Sequence, residues 1–103
     1  MKKAVKFDRR MADIYRRARE EAGYNASRFL EMLGEHGGVE TAHILLASTS
    51  VSDGYTALWE RKRLDLTVEA LVLEEDWGLF SEVEVRTARV RLEQYGYLES
   101  AGT

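Results

Sequence analysis

The sequence has no cysteine. That excludes a disulfide framework, a thiolate metal site and a cysteine nucleophile. It has no proline either, where average usage is about 5%. No apolar run approaches the ~20 residues needed to span a membrane. The opening MKKAVKFDRR has a basic tip with no apolar stretch behind it, so it does not read as a secretory signal. Positive charge is not in excess. The net charge is −3 and the isoelectric point is near 5.4, which excludes a chain that coats nucleic acid with a uniformly basic surface. These absences point to a cytoplasmic protein with no part in the membrane.

What is present is an ordinary globular balance. Of the 103 residues, 45% are apolar and 32% charged, too apolar for intrinsic disorder. A chain of this length forms one domain and buries roughly 65% of its unfolded surface without staples. Glycine occurs eight times, mostly where a helix would stop. Segments free of proline and punctuated by glycine predict an all-α fold, a compact bundle of five to six short helices over residues 1–103.

Periodicity places the elements. Phe7, Met11, Ile14, Ala18 and Ala22 recur at four- and three-residue steps, predicting a first helix over residues 7–22 that Gly23 stops. Asn25 is the expected cap of a second helix, with Phe29, Leu30 and Leu33 inward and Gly34, Gly37 and Gly38 ending it. A short third helix carries Val39, Ala42, Leu45 and Leu46. Ser50 and Asp53 form an approximate capping box, and Tyr55, Leu58 and Trp59 follow as an inward edge. Asp65 is the expected cap of the next helix, and Leu66 to Leu73 is apolar nearly all round. Such a helix belongs at the centre of the core, with the first helix laid across the outside. Its β-branched residues also permit a buried strand, but a lone strand has no neighbour for its backbone. Trp77, Leu79 and Phe80 read as a hydrophobic connection. Ser81 and Glu84 form a proper capping box for a last helix, with Val85, Ala88, Leu92 and Tyr95 inward and Gly96 as its stop. Tyr97 and Leu98 are expected to pack back, and the closing Ser-Ala-Gly-Thr to fray.

The charge is segregated. Residues 1–19 carry a local balance of +6, and residues 64–84 one of −7. Lys3, Arg10 and Arg17 sit seven apart, nearly on one line of the first helix, with Lys6, Arg9 and Arg16 on the same outward surface. A line of exposed cations tracks phosphates, solubilises a helix face, or pairs with the acidic segment across the bundle. Arg61, Lys62 and Arg63 form a second basic patch near a helix C-terminus, where the macrodipole favours cations. The two patches strengthen each other only if the fold brings them to one face.

Other constellations are weaker. Glu40 and His43 share a helix face, and His36 adds a third ligand from the preceding turn, but two histidines are too few for most metal sites. The Gly34–Gly38 turn lacks the lysine and hydroxyl of a phosphate loop. The serines of 48–52 lack the glycine frame of a nucleophile elbow. Glu74-Glu75-Asp76 is consecutive, where a calcium loop alternates its ligands. No metal, cofactor or catalytic residue is therefore assigned, and the chain is read as no enzyme. The aromatics Tyr55, Trp59, Trp77 and Phe80 are expected in the core, with Tyr95 and Tyr97 in part exposed.

Three stretches carry a resemblance: YNASRFLEMLGEHGGVETAHILLAS, SDGYTALWERKRLDLTVEALVL and the closing LEQYGY. In them the chain resembles a family of small bacterial proteins with no assigned activity. The resemblance runs from Tyr24 to Tyr97. It implies that residues 24–97 are the core unit, to which residues 1–23 are attached as a basic amphipathic helix. It implies no activity.

The functional expectation is a non-catalytic module that binds another macromolecule, most naturally a protein of nucleic-acid metabolism or defence. The small size, the lack of a catalytic constellation and the segregated charge support it. The alternative is direct nucleic-acid binding through the basic first helix and Arg61, Lys62 and Arg63.

Overall fold

Phe7, Met11, Ile14 and Ala18, the periodic residues of the first helix, are all buried. In the computed structural model, which describes residues 2–99, they line one face of α1 (Lys2–Ala22). The closing Ser-Ala-Gly-Thr lies outside the described residues. Four further helices follow: α2 (Ser27–Ala47), α3 (Asp53–Glu60), α4 (Val68–Val72) and α5 (Glu82–Gln94), with a 3₁₀ turn at Leu64–Leu66. Among the described residues every regular element is helical, and the architecture is an all-α bundle. No helix among them is long and apolar enough to cross a membrane.

The sequence places the first helix on the outside, as an attachment. In the structure its apolar face forms part of the core while its opposite face is exposed. Phe7, Met11 and Ile14 join Ala42, Leu71, Val72 and Trp77 in the largest buried cluster. The Phe7 ring meets Trp77 edge-on at 5.1 Å and Phe80 at 5.1 Å. Trp77 donates its ring N–H to the Leu71 carbonyl at 3.0 Å. A face of four buried residues at helical spacing has to be covered, and the rest of the chain covers it.

The second helix bends sharply at Gly37, whose φ is +79° and ψ 172°. The Thr41 hydroxyl donates to the Met32 carbonyl at 3.0 Å. Nine residues along a straight helix span about 13.5 Å, so the two arms of α2 form a V. The expected third helix is the second arm. Gly38 at the apex touches α1: a Cβ there would lie 2.5 Å from Asp8 Oδ1 and 3.0 Å from Asp8 Cα. Asp8 in turn accepts the Val39 N–H at 3.3 Å, capping the second arm from a neighbouring helix.

Residues 64–73 do form the centre, as the all-round apolar pattern implies, but not as one helix capped by Asp65. Thr67 interrupts it. Its hydroxyl donates to the Leu64 carbonyl at 2.7 Å and accepts the Ala70 N–H at 3.1 Å, so it closes the 3₁₀ turn and caps α4. Local side-chain bonding of this kind competes with helix continuation. Asp65 faces Arg63 instead, at 3.0 Å. Three other expectations shift. Ser52 caps α3 in place of Ser50, accepting the Tyr55 N–H at 3.1 Å. Asn25 does not cap α2 but accepts the Tyr15 hydroxyl at 3.1 Å. Leu30 and Trp59, expected inward, are 47% and 44% exposed. The capping box of Ser81 and Glu84 is present in both directions. Gly23 and Gly96 follow the ends of α1 and α5. Leu98 packs back, whereas Tyr97 is exposed.

Candidate functional site

The open end of the α2 V is concave. A cleft of about 490 Å³ lies there. One arm contributes Ser27, Arg28, Phe29 and Met32, and the other Ile44, Leu45 and Ser48. Ile14, Tyr15 and Ala18 of α1 and Tyr55 and Leu58 of α3 close its sides, and Leu66, Thr67 and Glu69 form its floor. A second concavity of about 500 Å³ continues it past Glu31 and Glu35 to His36, sharing Ser27, Arg28, Met32 and Ile44 with the first. The walls are largely apolar and the rim polar, the usual composition of a binding cleft.

The floor is held by a buried charge pair. Glu69 and Arg91 are 4% and 7% exposed. Arg91 Nη1 lies 2.9 Å from Glu69 Oε2 and 3.1 Å from the Leu45 carbonyl, and Nη2 lies 2.5 Å from the Ser48 carbonyl. One guanidinium thus ties α5 to α4 and to the carbonyl end of α2, where a helix dipole favours a cation. Burial pushes the Glu69 carboxyl up, against the pull of Arg91. The Tyr55 hydroxyl donates to the Arg91 carbonyl at 2.9 Å, and burial pushes that phenol up as well. Sequence reasoning missed this pair. The available signal was Glu69 itself, a carboxylate set among Val68, Ala70, Leu71 and Val72: where all neighbours are buried it must find a cation.

The nine basic residues singled out in the sequence lie elsewhere, and most are engaged. Lys3 and Lys6 both pair with Glu75, Lys6 at 2.7 Å, and Arg10 pairs with Glu74. Lys3 and Lys6 also lie over the Trp77 ring at 5.7 and 5.5 Å. The basic helix and the acidic segment therefore clasp each other across the bundle. Arg16 pairs with Asp13 and Glu20 on its own helix. The two basic patches do meet, but on a carboxylate: Glu21 takes Arg17 at 2.9 Å and Arg63 at 2.8 Å. Hydrogen bonds from Arg17 and then Arg63 hold its carboxyl down at about 2. Arg61 donates to the Ala22 and Ala57 carbonyls and lies 5.1 Å from the Tyr24 ring. Arg9 and Lys62 are exposed and make no ion pair among the described residues.

The histidines do not converge. His43 Nδ1 lies 2.5 Å from Glu84 Oε2, whereas His36 lines the second concavity, which His43 does not. Burial raises the Glu84 carboxyl, but the His43 bond and the Ser81 N–H outweigh it, and the net shift is downward. Among the described residues no group of three or more His, Asp or Glu is placed to hold a metal ion.

Comparison of the chain with models of protein families, with curated proteins and with solved structures finds no match.

Proposed function

We propose that this chain is a non-catalytic module that docks another protein in the cleft between the arms of α2. The observation that carries the reading is the cleft itself. It is a largely apolar groove between two helical arms, the kind of surface into which a segment of a partner protein can lie. The charge pairing favours a protein over a nucleic acid. Lys3, Lys6, Arg10, Arg16, Arg17 and Arg63 are already matched to carboxylates of the same chain. A phosphate backbone would have to displace those partners. The same pairing makes the segregated charge of the sequence a feature of the fold.

A random peptide library displayed on phage tests the reading. It is selected on the protein and counter-selected on Ile44→Arg, which places a cation in the cleft wall. Enrichment of related sequences that lose binding to Ile44→Arg supports docking there. In parallel, labelled duplex DNA, duplex RNA and single strands are titrated at about 50 and 200 mM salt. Tight nucleic-acid binding that weakens steeply with salt, with no enriched peptide, overturns the reading in favour of the nucleic-acid alternative.

A further inference from the structure

The cleft is walled mainly by helices, with the connections at residues 24–26 and 51–52 beside them, and among the described residues it has no sheet edge. An extended peptide would gain no strand partner there. The occupant has to satisfy its own backbone, as a helix does. Each arm of the V is about ten residues, or about 15 Å, long. That length matches two to three turns of a docked helix, whose anchors recur at three- and four-residue steps.

The charge around the opening fixes the sign of the partner. Glu31, Glu35 and Asp53 line the two concavities, against Arg28 as the only lining lysine or arginine among the described residues. None of the three carboxylates forms an ion pair among the described residues. Glu21, Glu74 and Glu75, by contrast, are each answered by a cation of the chain. Glu69 in the floor is neutralised by Arg91 and adds no net charge. Met32 and Ile44 line both concavities, and Ile44 is 37% exposed. Methionine adapts its shape to varied apolar anchors.

We propose that the cleft accepts a basic amphipathic helix of a partner protein. Its apolar face lies against Met32, Ile44 and Leu45, and its flanking lysines or arginines face Glu31, Glu35 and Asp53. This rests on the docking reading above and adds the secondary structure and charge of the partner.

The test uses the full chain and three labelled peptides of about fourteen residues, long enough for the anchors at i, i+3, i+4 and i+7. The first sets leucines in that pattern with lysines elsewhere. The second scrambles the same composition. The third replaces lysine by glutamate. Fluorescence anisotropy gives affinity, and amide shifts of the ¹⁵N-labelled protein give the site. The expected result is binding of the first peptide at least tenfold tighter than the other two, with shifts at Met32, Ile44 and Ser48. The exposed double variant Glu31→Gln/Glu35→Gln weakens it several-fold, and its helical circular dichroism is unchanged. Equal binding of the scrambled peptide, or no response to the double variant, overturns the proposal. Tighter binding of the acidic peptide in the cleft overturns the charge assignment while leaving the docking reading intact. Shifts centred on Trp59 and Tyr97 overturn the assignment of the cleft. Silence from all three peptides overturns the basic-helix proposal, and only an empty display selection as well takes down the docking reading.

Discussion

The Arg91 guanidinium lies 2.9 Å from the Glu69 carboxylate beneath the cleft, with both groups nearly withdrawn from water. The pair is asymmetric in its consequences. Replacing Arg91 by alanine leaves a buried carboxylate without its cation and the Leu45 and Ser48 carbonyls without their donor. Removing one partner of a buried pair costs about 3–5 kcal/mol. Glu69→Gln keeps a hydrogen-bonding oxygen for Arg91 and should cost less. The double variant Glu69→Met/Arg91→Met should be more stable than Arg91→Ala, because no charge is left stranded. Urea unfolding of the three variants checks the order. A loss below about 1 kcal/mol in Arg91→Ala would mean that water reaches the carboxylate.

Gly38 is required for contact and Gly37 for conformation. A methyl group at Gly38 runs into the Asp8 backbone, so Gly38→Ala should cost about 1–3 kcal/mol through displacement of α1. Truncating Asp8 to alanine removes the nearer clash but not the one with Cα, so Asp8→Ala should rescue it only in part. Gly37→Ala meets no neighbour, and its cost of about 1–3 kcal/mol is that of a backbone with positive φ and extended ψ, which glycine alone adopts readily. Thermal melts separate the two: full rescue of Gly38→Ala by Asp8→Ala would show that the helices do not approach as closely as they do here.

Much of this fold is legible in the sequence because periodicity and capping are local. The stripe on α1, the Ser81–Glu84 box and the glycine stops need only neighbouring residues to be read. The bend of α2 is also visible, in Gly37-Gly38. What escapes are relations between distant segments. Asp8 capping the second arm of α2 spans 31 residues, and the Glu69–Arg91 pair spans 22. Trp59 reads as core by its type, yet it packs edge-on to Tyr95 at 5.3 Å with its other side in solvent. The cleft escapes for the same reason. No single segment contains it, and the cations that drew the eye are the ones the fold consumes in the clasp with Glu74 and Glu75.

Lys62 is the only non-glycine residue with a positive φ, at 61°, among the described residues. It occupies the left-handed position after α3, where the Lys62 N–H reaches the Trp59 carbonyl at 3.0 Å and the Arg63 N–H reaches the Leu58 carbonyl at 2.8 Å. That is the two-bond helix terminus that glycine favours. Lys62→Gly should therefore stabilise the protein, by about 0.5–1 kcal/mol, despite the added freedom of the unfolded chain. The melting temperature should rise by several degrees for a domain of this size. A fall would show that the lysine side chain holds a contact that outweighs its backbone strain.

The clasp between α1 and the acidic connection predicts a loss of stability on the acid side. Hydrogen bonds from Lys3 and then Lys6 hold the Glu75 carboxyl below its ordinary value. A carboxyl whose pKa is lower folded than unfolded stabilises above its unfolded value, near ~4.3, and that contribution is lost as pH falls through the folded value. Glu21, held down at about 2 by Arg17 and Arg63, acts in the same direction over a wider window. Stability should therefore decline from about pH 5 toward about pH 2. Both carboxylates are solvent-accessible, so added salt should flatten the decline. Carboxyl ¹³C titrations resolve the two sites. In Lys3→Gln/Lys6→Gln the Glu75 titration should move up to the ordinary range while Glu21 stays low. In Arg17→Gln the Glu21 titration should rise only part of the way, because Arg63 remains, while Glu75 stays low. A Glu75 titration indifferent to the loss of both lysines would break the clasp, and with it the argument that α1 spends its cations inside the protein.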